Sequence, residues 1–148
     1  MKKILLASML FAAITSQATG FPDVNEKILK AFKETFTYAE DVVWQEKDNS
    51  YQVNFWQGEI NIRARYDEQG NLLGTIRYYY EKQLPPSIVS KVKARYAGKT
   101  IFGVTEVSSE DDVAYFINIR DDKHWYIVKS DVFGNLQLTD KFKRAEGE

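Results

Sequence analysis

The stretch Tyr51–Tyr80, "YQVNFWQGEINIRARYDEQGNLLGTIRYYY", decides how this chain folds. Tyr51, Val53 and Phe55 alternate with Gln52, Asn54 and Trp56. After the turn Gln57-Gly58, the residues Ile60, Ile62, Ala64 and Tyr66 alternate with Glu59, Asn61, Arg63 and Arg65. "DEQGN" makes the next turn, and "LLGTIRYYY" reads as a further strand. Alternation with period two is the mark of an antiparallel sheet with one covered and one wet face.

Working outward, a helix precedes this stretch and another follows it. In "VNEKILKAFKETF" the apolar residues Val24, Ile28, Leu29, Phe32 and Phe36 fall on one helical face, behind a possible cap at Asp23 or Asn25. "DVVWQEK" is a short strand between that helix and Tyr51. Pro85 and Pro86 then interrupt the strand pattern, and Pro86 suits the first turn of a helix. There Ile88, Val89, Val92 and Tyr96 repeat the spacing of Ile28, Leu29, Phe32 and Phe36. Four more strand segments follow: "TIFGVTEVS", "VAYFINIR", "HWYIVKS" and "NLQLTDKF". The turn residues Asp67, Gly70, Asn71 and Leu72 recur as Asp131, Gly134, Asn135 and Leu136.

These correspondences predict an α+β fold of two tandem repeats, each one helix followed by about four antiparallel strands, with the helices on one face of the sheet. The expected boundaries are a signal peptide over 1–18, a linker over 19–23, repeat one over 24–83, repeat two over 84–145 and a tail over 146–148. The signal reading rests on Lys2 and Lys3, the apolar run Ile4–Ile14, and small residues at Ser16 and Ala18. A buried N-terminal helix is the competing reading, and the order of charge, apolar run and small residues favours export. Cleavage after Ala18 would remove two lysines and leave a slightly acidic, periplasmic or secreted protein with no membrane-inserted segment.

Composition narrows the chemistry. Apolar residues make up 44% of the chain, enough for a genuine core. Net charge is −1, so no global field recruits nucleic acid. Cysteine is absent, which excludes thiol catalysis, disulfides and cysteine-ligated metals. His124 is the sole histidine; with Ser130 and Asp131 it could form a triad, but it opens a strand and shares parity with Tyr126 and Val128. "SSEDD" and "RDDKH" gather carboxylates without the spacing of a calcium loop, and read as hairpin turns. No glycine-rich phosphate loop opens a helix. A carboxylate-based hydrolase needs only two acids, and no pair stands out. No catalytic residue, metal site or cofactor is expected.

A signal-like segment, the helix "NEKILKAFKETF", strands carrying "YQVNF" and "RARYDEQGNLL", and above all "RYYYEKQLPPSIVSKVKARYAGKTIFGVTEV" resemble a family of exported bacterial proteins, the β-lactamase-inhibitor-like, PepSY-like proteins. The likeness runs from about Val24 to Phe142 and is most specific over Arg77–Val107. It implies helices layered on antiparallel sheet. It carries over no catalytic or binding residue and does not by itself imply inhibition of a β-lactamase.

The strand phase does suggest a surface. Tyr51, Val53, Phe55, Ile60, Ile62 and Ala64, with Tyr115, Ile117, Ile119, Tyr126, Val128, Leu136 and Leu138, are assigned to the covered face. The opposite parity then holds Asn54, Trp56, Arg63, Arg65, Arg77 and Tyr79, with Phe116, Asn118, Arg120, Trp125, Ile127 and Lys129. Trp, Tyr and Arg carry much of the energy at binding interfaces. Trp56, Arg63, Arg65, Arg77, Tyr79, Phe116, Arg120, Trp125 and Lys129 are therefore the expected binding residues. The expected partner is a protein or peptide of the cell envelope, which the chain would inhibit or scaffold without being an enzyme. Competing readings are cross-strand pairing of the arginines with Glu59 and Glu68, a second core, or a small-ligand or glycan carrier using a cleft between the repeats.

Overall fold

The computed structural model describes residues 23–145. The expected signal peptide over 1–18, nearly all of the linker and the tail over 146–148 lie outside the described residues. The order of elements is α1 (Glu26–Thr35), β1 (Glu40–Lys47), β2 (Ser50–Gln57), β3 (Ile60–Asp67), β4 (Leu72–Tyr79), a 3-10 turn (Glu81–Gln83), α2 (Pro86–Arg95), β5 (Thr100–Ser109), β6 (Val113–Arg120), β7 (His124–Asp131) and β8 (Leu136–Lys143).

All strands belong to one antiparallel sheet in sequential order, β1 to β8. This corrects the expected fold class. Over the described residues the chain is mostly β, a single eight-stranded sheet with two ten-residue helices, and is not two tandem helix-plus-four-strand repeats. The hydrogen-bond ladder runs without interruption across the place where the prolines suggested a boundary: Gly74 pairs with Ser109, Arg77 with Glu106 and Tyr79 with Val104. Strand patterns identify segments and faces but not which edges meet. Here the edges of β4 and β5 satisfy each other, so neither is left as an open edge.

Local chemistry explains each helix start. Asn25 caps α1, its side-chain oxygen accepting from the Lys27 amide at 2.7 Å, while its amide nitrogen donates to the Glu68 carbonyl at 3.3 Å. Pro86 occupies the first turn of α2, where its missing N–H costs nothing. Both helices cover the same face of the sheet. Ile28 and Phe32 pack with Val53, Phe55, Ile62, Ala64 and Tyr66. Ile88 and Val92 pack with Val104, Tyr115, Ile117, Ile119, Tyr126 and Val128. Phe32 is the aromatic anchor, with ring centroids 5.1 Å from Phe55 and 5.3 Å from Trp44, both edge-on. Leu138, expected in the core, lies 43% exposed on the edge strand β8.

The recurring turns share one local solution. Asp67 accepts from the Gln69 and Asn71 amides at 2.9 and 2.8 Å; Asp131 accepts from those of Phe133 and Asn135, both at 2.9 Å. Gly70 and Gly134 take φ of +90° and +77°, which glycine adopts without strain.

Candidate functional site

The face of the sheet away from the helices is the candidate site, and the strand register fixes its content. Across β2, β3, β4 and β5, one row reads Gln52, Arg65, Gly74, Ser109. The next row reads Asn54, Arg63, Ile76, Val107. A third reads Trp56, Asn61, Tyr78, Thr105, and continues through Phe116 on β6 to Lys129 on β7. On the far side Arg120 lies directly opposite Trp125, and Trp125 opposite Phe142.

Trp56, Arg63, Arg65, Phe116, Arg120, Trp125 and Lys129 thus lie on the open face, whereas Arg77 and Tyr79 do not. A bulge sets Leu72 against Tyr66 but Gly74 against Arg65, so β4 gains a residue and its phase inverts. Arg77 and Tyr79 therefore point to the helix side. Tyr79 is 4% exposed and belongs to the core beneath α2. Arg77 Nη1 donates to Glu106 Oε1 at 3.0 Å, and the Tyr79 hydroxyl donates to Glu106 Oε2 at 2.6 Å. Burial, reinforced by the Glu106 carboxylate, pushes the Tyr79 hydroxyl pKa far up. The competing reading, in which the arginines pair with Glu59 and Glu68, finds no such ion pair among the described residues. Arg77 takes Glu106, and Glu59 is bound by Lys82.

Three aromatic residues that the strand phase missed complete the open face. Tyr78 arrives there through the inverted phase of β4. Phe102 arrives through a second bulge, between Ile101 and Gly103. Phe142 lies on the edge strand opposite Trp125. Phe102 and Trp125 meet edge to face at 4.9 Å. The Arg120 guanidinium lies 4.7 Å from the Phe102 ring and 5.4 Å from Trp125, and Arg144 covers Trp125 at 5.7 Å. Lys129 lies 5.9 Å from the Phe116 ring. These are cation–π arrangements that hold side chains in place on an exposed surface. Among the described residues, Arg63, Arg65, Arg120 and Lys129 make no ion pair with a carboxylate.

Two depressions mark this face. One, of about 260 Å³, is lined by Trp56, Asn61, Tyr78, Phe102, Thr105 and Asn118 among others. The other, of about 300 Å³, lies over Gly74 between Arg65 and Ser109. The β4–β5 ladder fills the place where the competing carrier reading put a cleft between the repeats.

The sole histidine stands apart from any triad. His124 Nδ1 lies 3.8 Å from Asp121 Oδ1. Ser130 is buried and donates to the Asp131 carbonyl at 2.9 Å, while the Asp131 carboxylate is taken up by its turn. Asp121 instead accepts from Lys99 and the Tyr126 hydroxyl, both at 2.7 Å, and from the amides of Lys123 and His124. These bonds, the Lys99 contact foremost, hold its carboxyl well below the usual carboxylate range. No cluster of three or more metal-ligating side chains occurs among the described residues, and no helix there is long and apolar enough to cross a membrane.

A sheet with one face sealed by two helices and the other, aromatic and cationic, left uncovered by the described residues defines a helix-on-sheet module with a broad second surface. Comparison with solved structures gives that fold its relatives. The chain is similar to a BLIP-like protein from Bacteroides fragilis NCTC 9343, at 16% identity and a TM-score of 0.63 over 88% of this chain and 93% of that one. It is similar to a DUF2874 family protein from Bacteroides ovatus ATCC 8483, at 19% identity and 0.59 over 80% and 86%. It is also similar to a candidate periplasmic protein of Bacteroides eggerthii DSM 20697, at 12% identity and 0.59 over 81% and 88%. The fold is thus shared with BLIP-like and DUF2874 proteins, in keeping with the inhibitor-like side of the resemblance read from the sequence; its PepSY side finds no counterpart in these three. No family model and no curated protein matches the chain.

Proposed function

We propose that the chain is an exported, non-enzymatic binding module that engages a protein of the cell envelope through its open sheet face, inhibiting or scaffolding it. The observation that carries this reading is the stack of Arg120 over Phe102 and Trp125, held in place on an uncovered surface. Ordinary solvated sheet faces carry isolated polar side chains, whereas pre-ordered aromatic and guanidinium groups lose little entropy on binding. The fold's likeness to a BLIP-like protein agrees with a role in protein recognition, and the likeness to a candidate periplasmic protein agrees with the export pattern over 1–18. The test is capture of a partner from the native envelope extract by the protein, by W56A, by W125A and by R120A. Each variant should keep the circular dichroism spectrum and lose the captured band. Undiminished capture by all three sinks the reading.

A second reading follows from the depression between Trp56, Tyr78 and Phe102, whose rim amides Asn61 and Asn118 suit a sugar ring stacked on an aromatic platform. A ligand that raises the melting temperature in a screen of small glycans, by mass action, would favour it over a protein partner.

A further inference from the structure

We infer that the depression over Gly74 is a built receptor for a single carboxylate side chain, and that the protein's partner inserts a glutamate there. This deepens the open-face reading of function and rests on it.

Gly74 creates the space. It lies between Arg65 and Ser109 in one cross-strand row, and a Cβ built on it would meet the Ser108 carbonyl oxygen at 2.5 Å. No other residue fits without moving the β5 backbone, so the row has a gap where every neighbouring row has a side chain. The gap belongs to a cavity of about 300 Å³. Its apolar wall is Ile76, Val107 and Leu73; its polar wall is Arg63 and Arg65.

The two guanidiniums are disposed for an anion. They occupy alternate positions of β3 and therefore share a face. Arg63 Nε donates to Asn54 Oδ1 at 3.0 Å, which orients that guanidinium and leaves its terminal nitrogens without a partner among the described residues. Neither arginine has a carboxylate partner among the described residues. A guanidinium fork matches a carboxylate in two-point geometry. The apolar wall selects between anions. The methylenes of a glutamate would cover Ile76 and Val107, whereas a phosphate, hydrated on all sides, would leave that surface wet.

The probe is the capped tripeptide acetyl-Ala-Glu-Ala-amide, titrated into the isotopically labelled protein and followed by the amide signals of Gly74 and Ser109 and the Nε–H signals of Arg63 and Arg65. These four should shift together, and the Ala-Gln-Ala peptide should act about tenfold more weakly, since it loses the charge-assisted bonds. R63Q and R65Q, both surface substitutions, should abolish the response, and R120Q should leave it intact. An equal response to the Gln peptide, displacement by an equal concentration of inorganic phosphate, or shifts confined to Arg120 and Trp125 would each overturn the assignment. The outcome is separable from that of the functional reading: a glutamate response without Trp-dependent capture leaves the pocket standing and removes the role proposed for it. Capture that depends on Trp56 and Trp125 without a glutamate response removes the pocket alone.

Discussion

The Tyr79 hydroxyl donates a 2.6 Å hydrogen bond to Glu106 across the β4–β5 junction. Arg77 holds the other oxygen of the same carboxylate at 3.0 Å, and Thr75 and Ser108 exchange a hydroxyl hydrogen bond at 2.7 Å one step along. The seam that unites the eight strands is thus polar on its helix side, and Glu106, its side chain 13% exposed, is the centre of it. Replacing Glu106 by Ala leaves the Tyr79 hydroxyl and the Arg77 guanidinium without acceptors and should cost about 2–4 kcal/mol, while Gln, which retains one acceptor, should cost less. Urea denaturation of the two variants checks the order; equal losses would mean that the carboxylate charge is what matters.

The same cluster contributes to the alkaline limit. The Tyr79 hydroxyl has its pKa raised by burial and by Glu106, so the folded state favours the protonated phenol. A folded pKa above the unfolded one contributes stability that is complete below the unfolded value, near 10, and is lost as pH rises above it. Stability should therefore fall above about pH 10, and Y79F, less stable at neutral pH by about 1 kcal/mol, should fall less steeply there. Parallel alkaline limbs in protein and variant would assign the decline to other groups.

Arg77 and Tyr79 also show what the sequence could and could not convey. Alternation in β2 and β3 is unambiguous because inward residues such as Val53 and Ile62 face polar neighbours, and every open-face assignment there holds. In β4 both parities are mixed, Thr75, Arg77 and Tyr79 against Ile76 and Tyr78, so hydrophobicity does not set the phase. The phase is set by the bulge at Leu72–Gly74, a backbone event with no side-chain signature beyond the glycine. Phe102 was missed for the same reason, at the bulge before Gly103. Whether the strands join in one sheet was not legible, because the matched helices and turns describe local structure, while edge pairing across Pro85 and Pro86 depends on non-local register. The surface around Arg120 and Trp125 was legible because β6 and β7 are regular through that point.

At acidic pH the carboxyl group of Asp121 should contribute to the loss of stability. Lys99, Tyr126 and two backbone amides hold it ionised, so its folded pKa lies below the unfolded one. Such a group contributes stability that is present above the unfolded value, near 4, and is lost as pH falls toward the folded value. D121N should lower the melting temperature at pH 7 and flatten its decline below about pH 4, because the variant has no proton to take up there. An unchanged acid limb would place the linkage on Asp67 and Asp131, whose turn hydrogen bonds also depress their carboxyl groups.

The hairpin glycines separate a backbone effect from a contact. Gly58 and Gly70 both have positive φ, +59° and +90°, so alanine is strained at each by about 1–2 kcal/mol. At Gly58 the new methyl meets nothing within 4 Å, whereas at Gly70 it meets the Lys27 carbonyl at 3.3 Å, where the β3–β4 turn abuts the start of α1. G70A should therefore be the more destabilising of the two in thermal denaturation, and the excess should shrink when Lys27 and its neighbours are loosened by N25A, which removes the cap of α1. Equal losses would show that the turn does not bear on the helix.

The three tryptophans divide between the two faces, and their fluorescence should divide with them. Trp44 stands on the helix side, against Phe32 at 5.3 Å and Tyr66 at 6.2 Å. Trp125 is on the open face but covered by Arg120 and Arg144 and flanked by Phe102. Trp56 is on the open face and 42% exposed. In variants that keep one tryptophan and replace the others by Phe, acrylamide should quench Trp56 most strongly and Trp44 least, with Trp125 between them. R120A should move Trp125 toward the Trp56 value and leave Trp44 unchanged, because the guanidinium shields only the open face. A Trp125 signal as protected as that of Trp44, and indifferent to Arg120, would mean that this face is covered in solution; the functional reading requires it to be open.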